Sequence, residues 1–283
     1  MTVLINGKEL ASKIRGQVKI KVDELKKKNI RPKLAIIMVG NDEASKIYLN
    51  NKRKACIETG IEYEEHILNE NIKQEELEDT IIRLNRREDV HSILLQSPIP
   101  KHLDIYKAFS MIDYRKDVDG FNPINIGRLA LNRKTFIPCT PNGIMKLLEE
   151  YNIDLKGSNV VILGRSNIVG KPLAQCMINK DATVTICHSK TKDLKVITKS
   201  ADILISAIGK PKFITADMIK QGAVIIDVGI NRLKEGIVGD VDFDEVKEKA
   251  SYITPVPGGV GPMTVAMLLN NVVIAAKYLN NID

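Results

Sequence analysis

The sequence predicts an α/β protein of two domains, each built on an open, mostly parallel sheet with helices on both faces. Three observations lead there. Short β-branched runs alternate with stretches of helical periodicity along most of the chain. Several of those runs are almost continuously apolar, as strands buried on both faces are. Two Pro/Gly-rich segments punctuate the 283 residues, a length that suits two domains.

The expected strands are Leu34–Val39, Ser92–Gln96, Val160–Leu163, Thr183–Cys187, Ile203–Ser206 and Val224–Val228. Between them, Glu9–Lys28, Ser45–Thr59, Gln74–Arg87 and Pro172–Asn179 read as helices. The first punctuation is Ile137–Gly143, where Thr140 is the expected N-cap and Pro141 the first helical residue. Ile144, Leu147, Leu148 and Tyr151 then supply the apolar stripe of the helix that follows. The second is Thr254–Pro262, after which one more apolar helix is expected at about Thr264–Leu279. The boundaries are therefore drawn at 1–139 and 140–262, with 263–283 packing back on the first domain.

Composition narrows the function classes. With 44% hydrophobic and 27% charged residues the chain is neither disordered nor a small disulfide-stapled scaffold. No apolar run is read as approaching the ~20 residues of a membrane helix, and the N-terminus offers only Val3-Leu4-Ile5 in place of a secretory core. The four cysteines and four histidines are scattered without CxxC or CxH grouping, which argues against a zinc site or a disulfide framework. Free thiols and no signal point to the cytoplasm. The excess of 42 Lys and Arg over 35 Asp and Glu, +7, raises nucleic-acid binding. Aromatics at 4%, with no Trp, supply no stacking platform, so a lysine-rich surface and anionic small-molecule substrates are the preferred reading.

The strongest local signal is Val160–Leu163 followed by Gly164-Arg165-Ser166-Asn167-Ile168-Val169-Gly170-Lys171-Pro172 and a helix. Glycine lets backbone approach a pyrophosphate, and free amides at a helix start receive its charge. Ser166 stands where a G-x-G-x-x-G turn has its middle glycine. Five residues between Gly164 and Gly170, and Pro172 after Lys171, exclude a Walker A loop. A dinucleotide site is expected; an ordinary strand-to-helix turn is the plainer alternative. The next strand ends in Cys187-His188-Ser189-Lys190-Thr191-Lys192, with no acid for ribose hydroxyls. Together with Arg165 this suits a 2′-phosphate, hence NADP rather than NAD.

In the N-terminal half, Ser45, Tyr48 and Lys52 share one helix face. Alone, that pattern reads more readily as an amphipathic helix with a solvated lysine. Gln96-Ser97-Pro98-Ile99-Pro100 follows a buried strand, where parallel sheets carry ligand loops, and Lys116–Phe121 is an acidic turn that on its own reads as surface.

Taken together the segments resemble the bifunctional methylenetetrahydrofolate dehydrogenase/methenyltetrahydrofolate cyclohydrolases. The matching markers are VGNDEASKIYLNNKRKAC from Val39, QSPIP, KDVDGFNPINIGRL from Lys116, PCTPNG, GRSNIVGKP, CHSKT, DVGIN, VGDVDF and TPVPGGVGPMTVAML. The resemblance implies an N-terminal α/β catalytic domain and a Rossmann-like NADP-binding domain, with a C-terminal helix returning to the first. It places the family's Tyr-x-x-x-Lys on Tyr48 and Lys52, its loop glutamine on Gln96 and its pterin-binding aspartate on Asp119. The cofactor positions fall on Gly164, Arg165, Ser166, Ser189 and Ile230; no metal is implied. Ser97 departs from the leucine usual in the loop, and Asn122 from a common histidine.

On this resemblance the chain oxidises 5,10-methylenetetrahydrofolate with NADP and hydrolyses the methenyl product to 10-formyltetrahydrofolate. Lys52 is the expected proton-transfer group, oriented by Gln96, with Tyr48 stacked on a pterin held by Asp119. A homodimer is implied, with an exposed parallel-sheet edge expected near Gly236–Phe243, and neither nucleic acid nor membrane is an expected partner. Another two-domain NADP dehydrogenase, of amino-acid or shikimate type, is the alternative.

Overall fold

The computed structural model describes residues 1–234 and 236–282, the side chains of Glu43 and Ala44 excepted. Its elements begin β1 (Val3–Leu4), α1 (Gly7–Lys27), β2 (Lys33–Val39), α2 (Glu43–Thr59), β3 (Glu62–Leu68), α3 (Gln74–Arg86), β4 (Ser92–Leu95), α4 (Ile105–Met111), α5 (Pro123–Ala130) and α6 (Cys139–Glu150). They continue β5 (Asn159–Leu163), α7 (Gly170–Ile178), β6 (Thr183–Cys187), α8 (Leu194–Lys199), β7 (Ile203–Ser206) and β8 (Val224–Asp227). The last are β9 (Asn231–Leu233), β10 (Gly236–Val238), α9 (Phe243–Lys247), β11 (Tyr252–Ile253) and α10 (Val260–Leu279). The chain divides into two units, residues 1–11 with 138–264, and residues 12–137 with those from Val265 onward.

The unit around residues 12–137 is built on a parallel sheet of order β3-β2-β4. Leu34–Val39 in the central strand is buried throughout, so its continuous apolar run faces core on both sides. Leu77, Ile81 and Leu84, one stripe of α3, pack with Ile37, Ile93 and Leu95. Each such side chain contributes roughly 1.5–3 kcal/mol of burial. Lys116 is buried among polar atoms: its Nζ donates to the carbonyls of Asn85 (2.9 Å) and Arg87 (2.6 Å), closing the C-terminal end of α3.

The strand β3, absent from the sequence reading, is Glu-Tyr-Glu-Glu-His-Ile-Leu at a sheet edge. Its acids have partners: Glu64 takes a bidentate pair from Arg87 (2.7 and 3.0 Å), and Glu65 Oε1 accepts from both Nε (3.1 Å) and Nη2 (2.9 Å) of Arg53. Charge on an edge strand discourages further pairing and hides the strand from any search for apolar runs.

The other unit carries a six-stranded parallel sheet of order β1-β11-β8-β7-β5-β6. The first residues, drawn with the N-terminal domain from sequence, pair here. β1 is the edge strand beside β11, and Lys8 N–H donates to Gly258 O (2.9 Å). A Cβ on Gly7 would lie 1.9 Å from Gly259 O, so only glycine allows that approach.

Three further expectations are corrected. Helix α6 starts at Cys139 with Pro138 as N-cap; Thr140 instead sets its hydroxyl 2.9 Å from that of Thr264, and Pro141 sits in the first turn, where an N–H has no helical acceptor. Gly236–Val238 is no parallel edge but pairs antiparallel with β9 as a separate two-stranded hairpin. Helix α10 begins at Val260, and its 20 residues do reach the length and mean hydropathy (1.4) of a membrane span. Of that apolar window 61% is buried inside the protein, and Asn271 on it donates to the Val118 carbonyl (2.8 Å), which marks a core helix.

Candidate functional site

Of the N-terminal-half residues, Lys52 and Gln96 meet at the C-terminal end of β4. Asp42 caps α2, accepting Ser45 N–H at 2.7 Å, and sets the phase that puts Ser45, Tyr48 and Lys52 on one face. Ser45 is buried and its Oγ has no hydrogen-bond partner among the described residues, a group that a ligand can satisfy. Tyr48 is 37% exposed. Lys52 is half-buried, and its Nζ donates to Gln96 Oε1 at 2.8 Å.

Gln96 extends the β2/β4 ladder by one bond, its N–H reaching Ile37 O (2.8 Å), so its side chain emerges where the strand ends. Its Nε2 donates to Ser97 O (2.7 Å) across a loop with a cis Ser97–Pro98 peptide. That bond fixes the amide with Oε1 towards Lys52. One turn further on α2, burial pushes the Cys56 thiol up to about 12 against the opposing pull of the Lys52 charge, so the thiol stays protonated and inert.

Asp119 is half-buried in a turn brought to the same strand: Asp117 bridges Ile93, and Ile93 N–H donates to Lys116 O (2.8 Å). The two acids of this motif have different work. Asp117 is fully enclosed and accepts from Gly120 N–H (3.1 Å), Asn122 N–H (2.7 Å) and Asn125 Nδ2 (2.8 Å). Desolvation raises its carboxyl to about 6 in spite of those donors. It builds the turn that presents Asp119. The family resemblance singles out Asp119; what Asp117 does is visible only in the fold.

In the other unit, Leu163, Gly164, Arg165 and Ser166 line a cavity of about 320 Å³ with Cys187, His188 and Ser189. Gly164 has φ +112°, and a Cβ there would lie 2.4 Å from Ala207 O; a Cβ on Gly170 would lie 2.0 Å from Gly164 O. The glycines therefore let the turn fold onto itself beside the helix start. Ser166 Oγ accepts from Val169 N–H (3.1 Å) and Gly170 N–H (3.4 Å), bracing the turn just ahead of α7 where the middle glycine of the usual pattern is missing. Leu194, Ile208 and Phe213 make apolar walls, and Lys210, which lies after β7 and outside the Gly164–Pro172 motif, adds a second cation. A flat apolar ring and phosphates fit this lining, and no acid stands at the end of β6 to oppose a 2′-phosphate. Ile230 is 45% exposed and is not among the cavity-lining residues.

Residues 5–119 match the family model for the tetrahydrofolate dehydrogenase/cyclohydrolase catalytic domain, and residues 138–280 that for the NAD(P)-binding domain of the same family. The chain belongs to the tetrahydrofolate dehydrogenase/cyclohydrolase family. Among its relatives is the bifunctional protein FolD of Campylobacter concisus, 54% identical over 97% of each chain. The solved FolD methylenetetrahydrofolate dehydrogenase/cyclohydrolase of Campylobacter jejuni is 52% identical with a TM-score of 0.97, covering 98% of this chain and 99% of that one. The Trypanosoma brucei dehydrogenase-cyclohydrolase, solved with NADP and an inhibitor, is 40% identical with a TM-score of 0.94 over 98% of both chains.

Within the family pattern the two departures have local explanations. Asn122 is buried, caps α5 by accepting Ile124 N–H (2.8 Å), and donates to the Ile112 carbonyl (2.8 Å). It is a structural cap. Ser97 serves Gln96 through its backbone oxygen, which any residue supplies.

Proposed function

We propose that Tyr48, Lys52, Gln96 and Asp119 bind and turn over the folate, and that Arg165 and Ser189 select NADP in the cavity at the end of β5. The activity is the oxidation of 5,10-methylenetetrahydrofolate to the methenyl form with NADP, followed by hydrolysis to 10-formyltetrahydrofolate. The observation that carries the assignment of roles is the 2.8 Å contact between Lys52 Nζ and a Gln96 amide whose orientation Ser97 O fixes.

The two steps ask different things of these residues. When bound, NADP accepts a hydride from the methylene carbon. That carbon lies between two nitrogens, so its cation is delocalised and no proton has to leave. Positioning alone serves this step: Asp119 takes the pterin N–H groups and Tyr48 lies against the ring. Water attack on the methenyl carbon releases a proton, and Lys52 is the group assigned to receive it. As a base the amine must be neutral, which requires an environment that disfavours its charge. Gln96 Oε1 holds Nζ in place for that transfer.

The test is to supply methenyltetrahydrofolate without nucleotide to the protein and to Gln96→Leu. One lost hydrogen bond to the amine is worth ~1.5–3 kcal/mol, about 10- to 100-fold in rate. Hydrolysis unchanged in a folded Gln96→Leu would remove Gln96 from the mechanism.

Arg165 and Ser189 both line the cavity, and the absence of an acid there supports NADP over NAD. A homodimer in the cytoplasm, free of nucleic acid and membrane, completes the proposal on the family resemblance. β10 belongs to a hairpin and so offers no parallel-sheet edge to such a dimer.

A further inference from the structure

One wall of the cofactor cavity comes from Ala207, Ile208, Lys210 and Phe213, on the segment that follows β7. This segment is bent around a buried anion. The carboxylate of Asp240, 0% exposed, accepts through Oδ2 from Ile208 N–H (2.8 Å), Gly209 N–H (3.2 Å) and Ser206 Oγ (3.2 Å). Through Oδ1 it accepts from Lys210 N–H (2.9 Å) and Asn231 Nδ2 (3.0 Å). Three consecutive backbone amides turned onto one anion form a nest, and Gly209 at φ +64° supplies the left-handed residue the bend needs.

Asp240 is in turn held by Asp227, which accepts Asp240 N–H, Val241 N–H and Gly229 N–H, each at 2.9 Å. Space around the two carboxylates is closed. A Cβ on Gly229 would lie 2.2 Å from Asp240 Oδ1, and one on Gly239 would lie 1.8 Å from Asp227 Oδ2. Neither acid is among the cavity-lining residues. Burying an anion beneath a pocket for a phosphate-bearing ligand costs electrostatic energy, so the retained charge calls for a geometric reason.

We propose that Asp240 is a positioning residue for the dinucleotide: its carboxylate shapes the 207–210 segment into the cavity wall and presents Lys210 there. The proposal rests on reading the cavity as the NADP site. Asparagine at 240 would keep the shape but turn an NH₂ towards N–H donors on one side, leaving at least two of them without an acceptor. The segment must then relax, and the wall with it.

The experiment compares Asp240→Asn with Arg165→Ala in the full chain, measuring KM for NADP, NAD and methylenetetrahydrofolate, kcat, and amide exchange at 208–210. Asp240→Asn is expected to raise KM for NADP and for NAD alike, by about tenfold, with the folate KM within twofold of the parent and the 208–210 amides exchanging faster. Arg165→Ala raises KM for NADP selectively. If Asp240→Asn fails to fold, Ser206→Ala and Asn231→Ala each delete one donor of the same carboxylate and should give smaller rises of the same kind. Unchanged nucleotide KM, or a fall in kcat alone, in a folded variant overturns the proposal. Should Arg165→Ala leave both nucleotides unaffected while Asp240→Asn weakens both, the reading of the 2′-phosphate fails and the positioning role stands.

Discussion

Replacing Lys52 with methionine separates the two reactions. Met keeps the length and apolar stem of the side chain, so the face that α2 shares with Ser45 and Tyr48 is largely preserved. What disappears is one amine and its 2.8 Å bond to Gln96 Oε1. Gln96 is 7% exposed, so its orphaned oxygen costs roughly 1–3 kcal/mol of stability, and the Nε2 bond to Ser97 O survives. With Lys52 as the proposed proton acceptor, hydrolysis should fall by ~10²–10⁴, about 3–5 kcal/mol of transition-state stabilisation. Oxidation depends on positioning, and should fall by about tenfold or less. Methenyltetrahydrofolate should then accumulate, visible by its near-ultraviolet absorbance while NADPH forms. Rates are compared per folded protein, using thermal melts of the same preparations. Equal losses in both activities with no accumulation would make Lys52 a positioning residue and refute the proton-transfer role.

Arg165→Ala should raise KM for NADP by tenfold or more while moving KM for NAD little, since one charge-assisted contact to phosphate is worth ~1.5–3 kcal/mol; equal shifts would show that Arg165 does not read the 2′-phosphate. Burial raises the Asp117 carboxyl to about 6, above its unfolded value of ~3.9, so the folded state keeps a proton that the unfolded state releases. Stability should therefore fall as pH rises from about 4 to 6, by about 3 kcal/mol from this group, and urea titrations of Asp117→Asn should show that slope reduced by one proton. An identical slope in the variant would contradict the assignment. Sedimentation at micromolar concentration should give twice the 31.5 kDa subunit mass, and monomers alone would count against the dimer.

What could be read in advance follows from how local each determinant is. Leu34–Val39 and Val160–Leu163 declare themselves as strands because burial on both faces makes them apolar at every position. The edge strand at Glu62–Leu68 does not, since its charges are matched by Arg53 and Arg87 from other elements. Tyr48 and Lys52 share a face by helix periodicity alone, but the meeting of Lys52 with Gln96 depends on β4 lying beside β2. The resemblance proposes Asp119 through its motif, whereas the work of Asp117 lies in backbone donors of the turn that closes around it. Asp240 is the extreme case. Its partners Ser206 and Ile208–Lys210 lie more than two dozen residues earlier, and three of those four partners are backbone amides, which carry no side-chain signature.

The most direct measurement mixes the purified protein with 5,10-methylenetetrahydrofolate and either NADP or NAD, following reduced nucleotide and folate products together. Folate-dependent reduction of NADP in preference to NAD, with 10-formyltetrahydrofolate as the end product and little methenyl intermediate, is the predicted result. No folate-dependent reduction of either nucleotide, or oxidation that stops at the methenyl form, would contradict it.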